Sequence, residues 1–397
     1  MFSHLDSSAH KTKNDSLYLQ LHNNIEREII NGTLRPGDKL PSYRRTAQRY
    51  GINISTVIHA YEMLEETGII SIVQGSGCYV KALHRSHFFS EKIVLENFNK
   101  GQVFEQPLIN FSSATPYIDI YPTHDFEEIL IELAKSGLSK SFAYREAQGN
   151  YHLRQRLREY FEEQGVKTQP ECIQILNGSQ QGIDLLCKSI IDPSSVMLAE
   201  NPSYTVALNT FTRAGATILS IPVNEEGMDI KSLERILEKR KIHFLYCMPV
   251  FQCPTSVCLS EANSFRLMEL AERHNFLIIE DDCQSEIYFD EKPHALLKSR
   301  DTNDRVVYLK SFSKILMPGL RLGCMILPKK LVDRVVSAKF YSDISSPDLQ
   351  QQCFERFLRK GKMSVYLEKL RAHFRKKYDL MKNLIEKSGV LRVRYVS

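Results

Sequence analysis

The chain has 397 residues, 43% of them hydrophobic and 25% charged, which is enough apolar material for two or three folded domains and too much for a disordered chain. A net charge of +5 is too small over this length to establish a nucleic-acid partner by itself. From Gln350 onward there are thirteen Lys and Arg against four Asp and Glu, which reads as a solvated helix face.

The nine cysteines include no Cys-x-x-Cys pair, so neither a disulfide framework nor a zinc site is suggested, and no metal is expected. No apolar run approaches the ~20 residues of a membrane span, and the polar start lacks the apolar stretch of a signal peptide. The expectation is a cytoplasmic protein with free thiols and no membrane partner.

In chain order, Leu17, Leu21, Ile25 and Ile29 recur at period four and predict a helix, stopped by Asn31-Gly32 and Pro36-Gly37. Pro41-Ser42 opens a short second helix that Gly51 closes. Asn53 or Ser55 caps a third, closed by Gly68. Two short strands around Gln74-Gly75-Ser76-Gly77 form a β-hairpin. This is the order of a winged helix-turn-helix over residues 1–82, with the second helix of the pair in the major groove and the hairpin as wing. Arg44, Arg45 and Arg49 on the preceding helix can reach phosphates, which give affinity rather than sequence choice. Gly75 and Gly77, lacking Cβ, let the wing backbone approach DNA.

The wording PGDKLPSYRRTAQRYGINISTVIHAYEMLEETGIISIVQGSGCYV resembles the DNA-binding domain of the GntR family of bacterial regulators. The resemblance implies a double-stranded DNA operator as partner and Ser42, Arg44, Ser55, Thr56 and Gly75 as contacts. Ile54 stands where the family often has arginine, so site preference is altered or binding weakened.

Residues 83–107 mix charges without a sustained period and read as a linker, in which Phe88, Phe89, Ile93, Val94 and Phe98 can dock as a helix. Over residues 108–397, β-rich apolar runs alternate with helical segments, one of them Ser260 to His274, which predicts an α/β domain with a mainly parallel sheet. Ligands sit beyond the carboxyl ends of such strands. Gly178-Ser179-Gln180, Asn201 to Tyr204, Gln252, Glu280-Asp281-Asp282 and Lys314 stand at those ends.

A desolvated lysine becomes a nucleophile toward carbonyls. An arginine on the following turn, Arg321, suits a phosphate, as does the head of a helix at Gly178-Ser179-Gln180. A carboxylate on a neighbouring strand can pair with a protonated ring nitrogen. Aldehyde, phosphate and pyridine together describe pyridoxal 5'-phosphate. Each feature alone is more often a surface lysine, a solvated acidic loop or a plain turn; their occurrence at successive strand ends is what carries the reading.

The runs ILNGSQQGIDLLCKSI, AENPSYTVALNTF, CMPVFQCPTSVCLS, FLIIEDDCQSEIYF and LKSFSKILMPGLRLGCMI resemble the fold-type-I aminotransferase family. Joined to a GntR-type domain, they resemble the MocR subfamily of transcriptional regulators. That resemblance implies an aldimine on Lys314, Asp281 as partner of the pyridine nitrogen, and Ser311, Arg321, Gly178, Ser179 and Gln180 on the phosphate. It places Tyr204 and Gln252 near the cofactor, and it implies a homodimer that senses pyridoxal phosphate or an amino compound.

Four departures weigh on turnover. Cys283 stands at a usual tyrosine, Ser256 at a usual glycine, and Thr205 and Val206 where an arginine often follows Tyr204. The chain also reads as C-terminally truncated, a fragment or a short gene product, ending near the start of the small subdomain that normally brings the carboxylate-gripping arginine. Sensing rather than turnover is therefore expected. The alternatives are a working aminotransferase with a DNA-binding appendage and a cofactor-free DNA-binding remnant.

Overall fold

The computed structural model describes residues 17–80, apart from 31–32, 35–36, 67–68 and 74, and residues 118–389, apart from 291–292 and 294–295. The chain divides into two units, Met1–Phe111 and Ser112–Ser397. The predicted linker and the stops at Asn31-Gly32 and Gly68 lie outside the described residues. No helix among the described residues is long and apolar enough to cross a membrane.

The first unit comprises α1 (Leu17–Ile30), α2 (Tyr43–Tyr50), α3 (Ile54–Glu66), β1 (Ile70–Val73) and β2 (Gly77–Val80). The predicted period-four residues Leu21, Ile25 and Ile29 meet Val57, Ala60, Tyr61 and Leu64 of α3 in one small core. Ser42 caps α2 by accepting from Arg45 N, and Gly51 ends it at φ 63°, a left-handed conformation natural to glycine. The Tyr61 hydroxyl is 2.9 Å from Thr46 Oγ1 and donates to Pro41 O at 3.1 Å, which ties α3 to the start of α2. β1 and β2 pair antiparallel from Ile70↔Val80 to Val73↔Gly77.

The second unit is built on an eight-stranded sheet of order β3-β10-β9-β8-β7-β4-β5-β6. The strands are β3 (Ile173–Leu176), β4 (Val196–Asn201), β5 (Thr217–Asn224), β6 (Gly227–Met228), β7 (Phe244–Cys247), β8 (Leu277–Asp282), β9 (Val306–Ser311) and β10 (Gly323–Ile326). The β5, β4, β7, β8 and β9 neighbours run parallel, as the alternation of strands and helices predicts. β10 runs against both β3 and β9, and β6 against β5.

Successive strand residues point to opposite faces, so each strand feeds two cores. On one face Val307 and Leu309 pack with α6 (Ser179–Ser189), α7 (Thr205–Ala214) and α10 (Val332–Asp343). On the other, Tyr308 packs with α4 (Thr123–Lys135), α5 (Tyr151–Glu162), α11 (Asp348–Arg359) and the first turns of α12 (Lys362–Ser388). A third cluster joins Leu198, Leu245 and Ile278 to α8 (Ile230–Leu237) and α9 (Glu261–His274).

Carboxylates are buried within these layers. Glu200, at the end of β4, accepts from Met248 N at 3.0 Å, and Glu280 accepts from Leu297 N and Lys298 N at 2.9 and 2.8 Å. Burial pushes both carboxyls up to about 8. A carboxyl raised in the folded state contributes stability that is fully present below its ordinary value and lost as pH rises through the raised one. Glu200→Gln is therefore expected to flatten the decline of melting temperature between about pH 4.5 and about pH 8; a decline as steep as in the parent chain would show that Glu200 does not titrate there. Tyr61→Phe is expected to destabilise the first unit by about 1–2 kcal/mol, because Pro41 O and Thr46 Oγ1 each lose a partner; chemical denaturation followed by a probe in that unit measures it.

Candidate functional site

Because β4, β7, β8 and β9 run parallel, their carboxyl ends share one edge of the sheet. Lys314 lies in the turn that follows β9. Its amine makes no hydrogen bond or ion pair among the described residues, and burial lowers its affinity for the proton, with the thiols of Cys283 and Cys253 as its titratable neighbours. Asp281 is 6% exposed and accepts from the Tyr246 hydroxyl at 2.7 Å. Burial raises its carboxyl to about 6. Tyr204, half-buried at the head of α7, lies within electrostatic reach of Asp281, Cys253 and Cys283, and Cys253 within that of Lys314 and Asp281.

The neighbouring wall is a turn. Gly178 precedes α6 at φ 92° with no side-chain cap, leaving the first N–H groups of that helix to an external acceptor. Arg321, itself at φ 50° behind the Pro318–Leu320 turn, donates from NH2 to Asn177 O at 3.0 Å. A Cβ on Gly178 would stand 2.7 Å from that same nitrogen, and one on Gly323 would stand 2.8 Å from Lys310 O and 3.2 Å from Ser179 N. Glycine is required at 323 by the backbone it meets and at 178 by its positive φ. Gln180 donates to Thr210 Oγ1 at 2.9 Å while its Oε1 is buried without a partner among the described residues, as is Ser203 Oγ. Ser311 Oγ accepts from Ser313 N at 3.3 Å.

The structure thus brings Lys314, Asp281, Tyr204, Ser311, Arg321 and the Gly178-Ser179-Gln180 turn to one edge. Gln252 differs in kind. Its amide is spent within the protein, donating to Pro202 O at 2.6 Å and accepting from Thr255 N and Oγ1 at 3.1 and 2.6 Å. The next residue, Cys253, is the one in the electrostatic field of Lys314.

Sequence reasoning missed two supports. Tyr246 is the one polar tip in the buried strand Phe244–Cys247, and that tip marks its use on Asp281. Lys310 is fully buried in β9, and a lysine in an apolar strand signals buried counter-charges. They are Asp282 at 3.0 Å and Glu286 at 2.6 Å.

In the first unit, Ser42, Arg44, Arg45 and Arg49 on α2 and Ser55 on α3 are exposed, and Thr56 is half-buried. Ile54, the first residue of α3, is 44% exposed beside them. Gly75 takes φ 78° at the hairpin tip, and a Cβ on Gly77 would collide with the Lys39 side chain at 2.7 Å.

Residues 110–394 match the model of the aminotransferase class I and II family, and residues 17–80 that of bacterial regulatory proteins of the gntR family. The uncharacterized HTH-type transcriptional regulator YcxD of Bacillus subtilis (strain 168) is 30% identical over 361 residues, 91% of this chain and 78% of the relative. The probable rhizopine catabolism regulatory protein MocR of Rhizobium meliloti is 27% identical over 373 residues, 89% of this chain and 74% of its own length. The crystal structure of LysN, the alpha-aminoadipate aminotransferase of Thermus thermophilus complexed with N-(5'-phosphopyridoxyl)-L-leucine, superposes with a TM-score of 0.66 at 30% identity, covering 70% of each chain. The gntR-type domain implies DNA binding. The chain belongs to the aminotransferase class I and II family, as a MocR-like HTH-type transcriptional regulator that joins a GntR-type DNA-binding domain to an aminotransferase-like domain.

Proposed function

We propose that this regulator holds pyridoxal 5'-phosphate at Lys314 and uses it to sense the cofactor itself or a small amino compound. The domain limits behind this reading are 1–82 for DNA binding, 83–107 for a linker and 108–397 for the cofactor-binding part. The observation that carries it is the amine of Lys314, partnerless among the described residues in the turn after β9, on the sheet edge where the adjacent strand β8 ends in the buried carboxylate of Asp281 and a glycine turn closes on Arg321.

The residues fit the group. Two buried polar atoms, Gln180 Oε1 and Ser203 Oγ, have no partner among the described residues, and Gly178 and Gly323 leave no Cβ in the turn. Arg321, Ser311 and the first N–H groups of α6 would take the phosphate, through a planar fork and a helix dipole end. Asp281 would face the ring nitrogen; its carboxyl, raised to about 6, is ionised above that pH and can then hold a proton on the nitrogen. When bound, the cofactor supplies an aldehyde open to amine capture and a ring that draws electrons once protonated. Lys314 is the amine, kept toward its nucleophilic neutral form by burial. Tyr204 and Gln252 complete the assigned set, Gln252 by bracing the loop that carries Cys253.

Sensing is favoured over turnover because Cys283 and Cys253, weak hydrogen-bond donors, are the groups beside Lys314. The proposed setting is a cytoplasmic homodimer on a two-half-site operator, in which the effector acts by preferring one arrangement of the protein over another.

Borohydride reduction of the chain mixed with pyridoxal 5'-phosphate is expected to leave a covalent adduct on Lys314, absent in Lys314→Ala. An equal adduct on another lysine overturns the assignment. For the DNA-binding unit, Arg44→Ala should flatten the salt dependence of binding by about one unit, and Ile54→Arg should steepen it by about as much. Slopes unchanged in both variants would remove these positions from the interface.

A further inference from the structure

A hydrogen-bonded chain runs away from the Gly178 turn into α10. Asn177 Nδ2 and Gln181 Nε2 both donate to Asp343 Oδ2, at 2.9 and 2.7 Å. Gln181 Oε1 in turn accepts from Asn177 N at 2.9 Å, and Asn177 O accepts from Arg321 NH2. One carboxylate therefore fixes the residue before Gly178 by its side chain directly and by its backbone N–H through Gln181, and that residue's carbonyl fixes the arginine.

A carboxylate is an odd anchor this close to a place where an anion is to be held. Left unpaired, its charge would oppose an anion held at the Gly178 turn that it supports. The structure supplies the remedy in Lys339, one helical turn earlier on α10. Its side chain is fully buried, and its Nζ donates to Asp343 Oδ2 at 2.6 Å. Asp343 is itself only partly covered, so Lys339 is the deeper member of the pair. A buried lysine costs desolvation and persists only where its charge is matched. Among the described residues, the hydrogen bonds of the pair outside itself go to Asn177 and Gln181.

We infer that Lys339 and Asp343 are positioning residues for phosphate recognition: Asp343 holds the Asn177-Gly178 turn and Arg321 in register, and Lys339 neutralises Asp343 so that this anchor does not repel the phosphate. The inference rests on the reading of the Gly178 turn as the phosphate seat. It has a consequence that a general structural role lacks. The pair acts on the phosphate alone, so it distinguishes pyridoxal 5'-phosphate from pyridoxal, which carries the same aldehyde and ring.

The test is equilibrium binding of both compounds, followed by absorbance, to the full chain and its variants. Lys339→Met should lose about tenfold in affinity for pyridoxal 5'-phosphate, with affinity for pyridoxal unchanged. Adding Asp343→Asn to Lys339→Met should recover most of that loss, since the uncompensated charge is gone while an acceptor oxygen remains. Gln181→Leu, which disturbs no charge, should show the same selective loss and serves if Lys339→Met does not fold. A parallel fall for both compounds, or a double variant no better than the single, overturns the inference. A parent chain that binds both compounds equally overturns the phosphate seat itself, and one that binds neither overturns the cofactor reading.

Discussion

Three consecutive acids end β8, and the architecture around the site follows from the need to bury all three. Period-two alternation sends Glu280 and Asp282 to one face of the sheet and Asp281 to the other. Each is satisfied differently. Glu280 takes the backbone N–H groups of Leu297 and Lys298. Asp281 takes the Tyr246 hydroxyl alone among the described residues, which leaves its second oxygen without a protein donor there. Asp282 takes Tyr308, Lys310 and Ser285. Lys310 then requires Glu286, which accepts from Tyr160 of α5 at 2.6 Å, and Arg371 of α12 donates to Glu286 O at 3.3 Å. An unpaired member of such a knot would cost several kcal/mol, so the strand end, the segment after it and two helices are held as one body.

That rigidity matters because the pocket's own polar contacts are sparse. The thiols of Cys253 and Cys283 are pushed above the ordinary cysteine value, Cys283 to about 12, chiefly by burial, and remain neutral. Ser256 holds φ 61° where a glycine would be unstrained, and Phe251 holds φ 51° in the same loop. Gln252, Thr255 and Glu200 bind that loop to the end of β4. The loop is thus kept in a demanding shape while its residue nearest Lys314 offers only a thiol. A held shape with few strong donors suits recognition of a ligand better than stabilisation of a charged transition state.

Much of this was legible in the sequence, for identifiable reasons. The helices of the first unit announce themselves through Leu21, Ile25 and Ile29 and through the Ser42 and Gly51 caps, all local signals. The strand-end residues Asp281, Lys314 and Gly178 follow from an apolar run meeting a polar stop. What was not legible is whatever depends on pairing between distant segments. β10 lies between β3 and β9 and antiparallel to both, an order that no local pattern encodes. Asp343 meets Asn177 across more than a hundred residues, and an Asp near the end of an ordinary amphipathic helix gives no hint of it. Gln252 and Cys253 are adjacent in sequence, yet one is absorbed by the scaffold and the other faces the lysine. Only the turn of the loop decides which.

The charge of the chain bears on how such a regulator could be switched. The positive surplus sits in the region from Gln350 onward, and residues 1–82 hold nine Lys and Arg against eight Asp and Glu. DNA affinity in the first unit therefore cannot come from a broad positive field. What the unit offers a phosphate backbone is the exposed cations Arg44, Arg45 and Arg49 and the capped head of α2, with Ile54 as an exposed apolar side chain at the start of α3. Heads that are weak singly bind well only when two engage together, and joint engagement depends steeply on whether their spacing matches the half-sites. Under the sensing proposed above, a modest change in that spacing alters occupancy far more than it would for heads that bind tightly alone. Near-neutrality of the DNA-binding unit in this sense fits the proposed control by a small molecule.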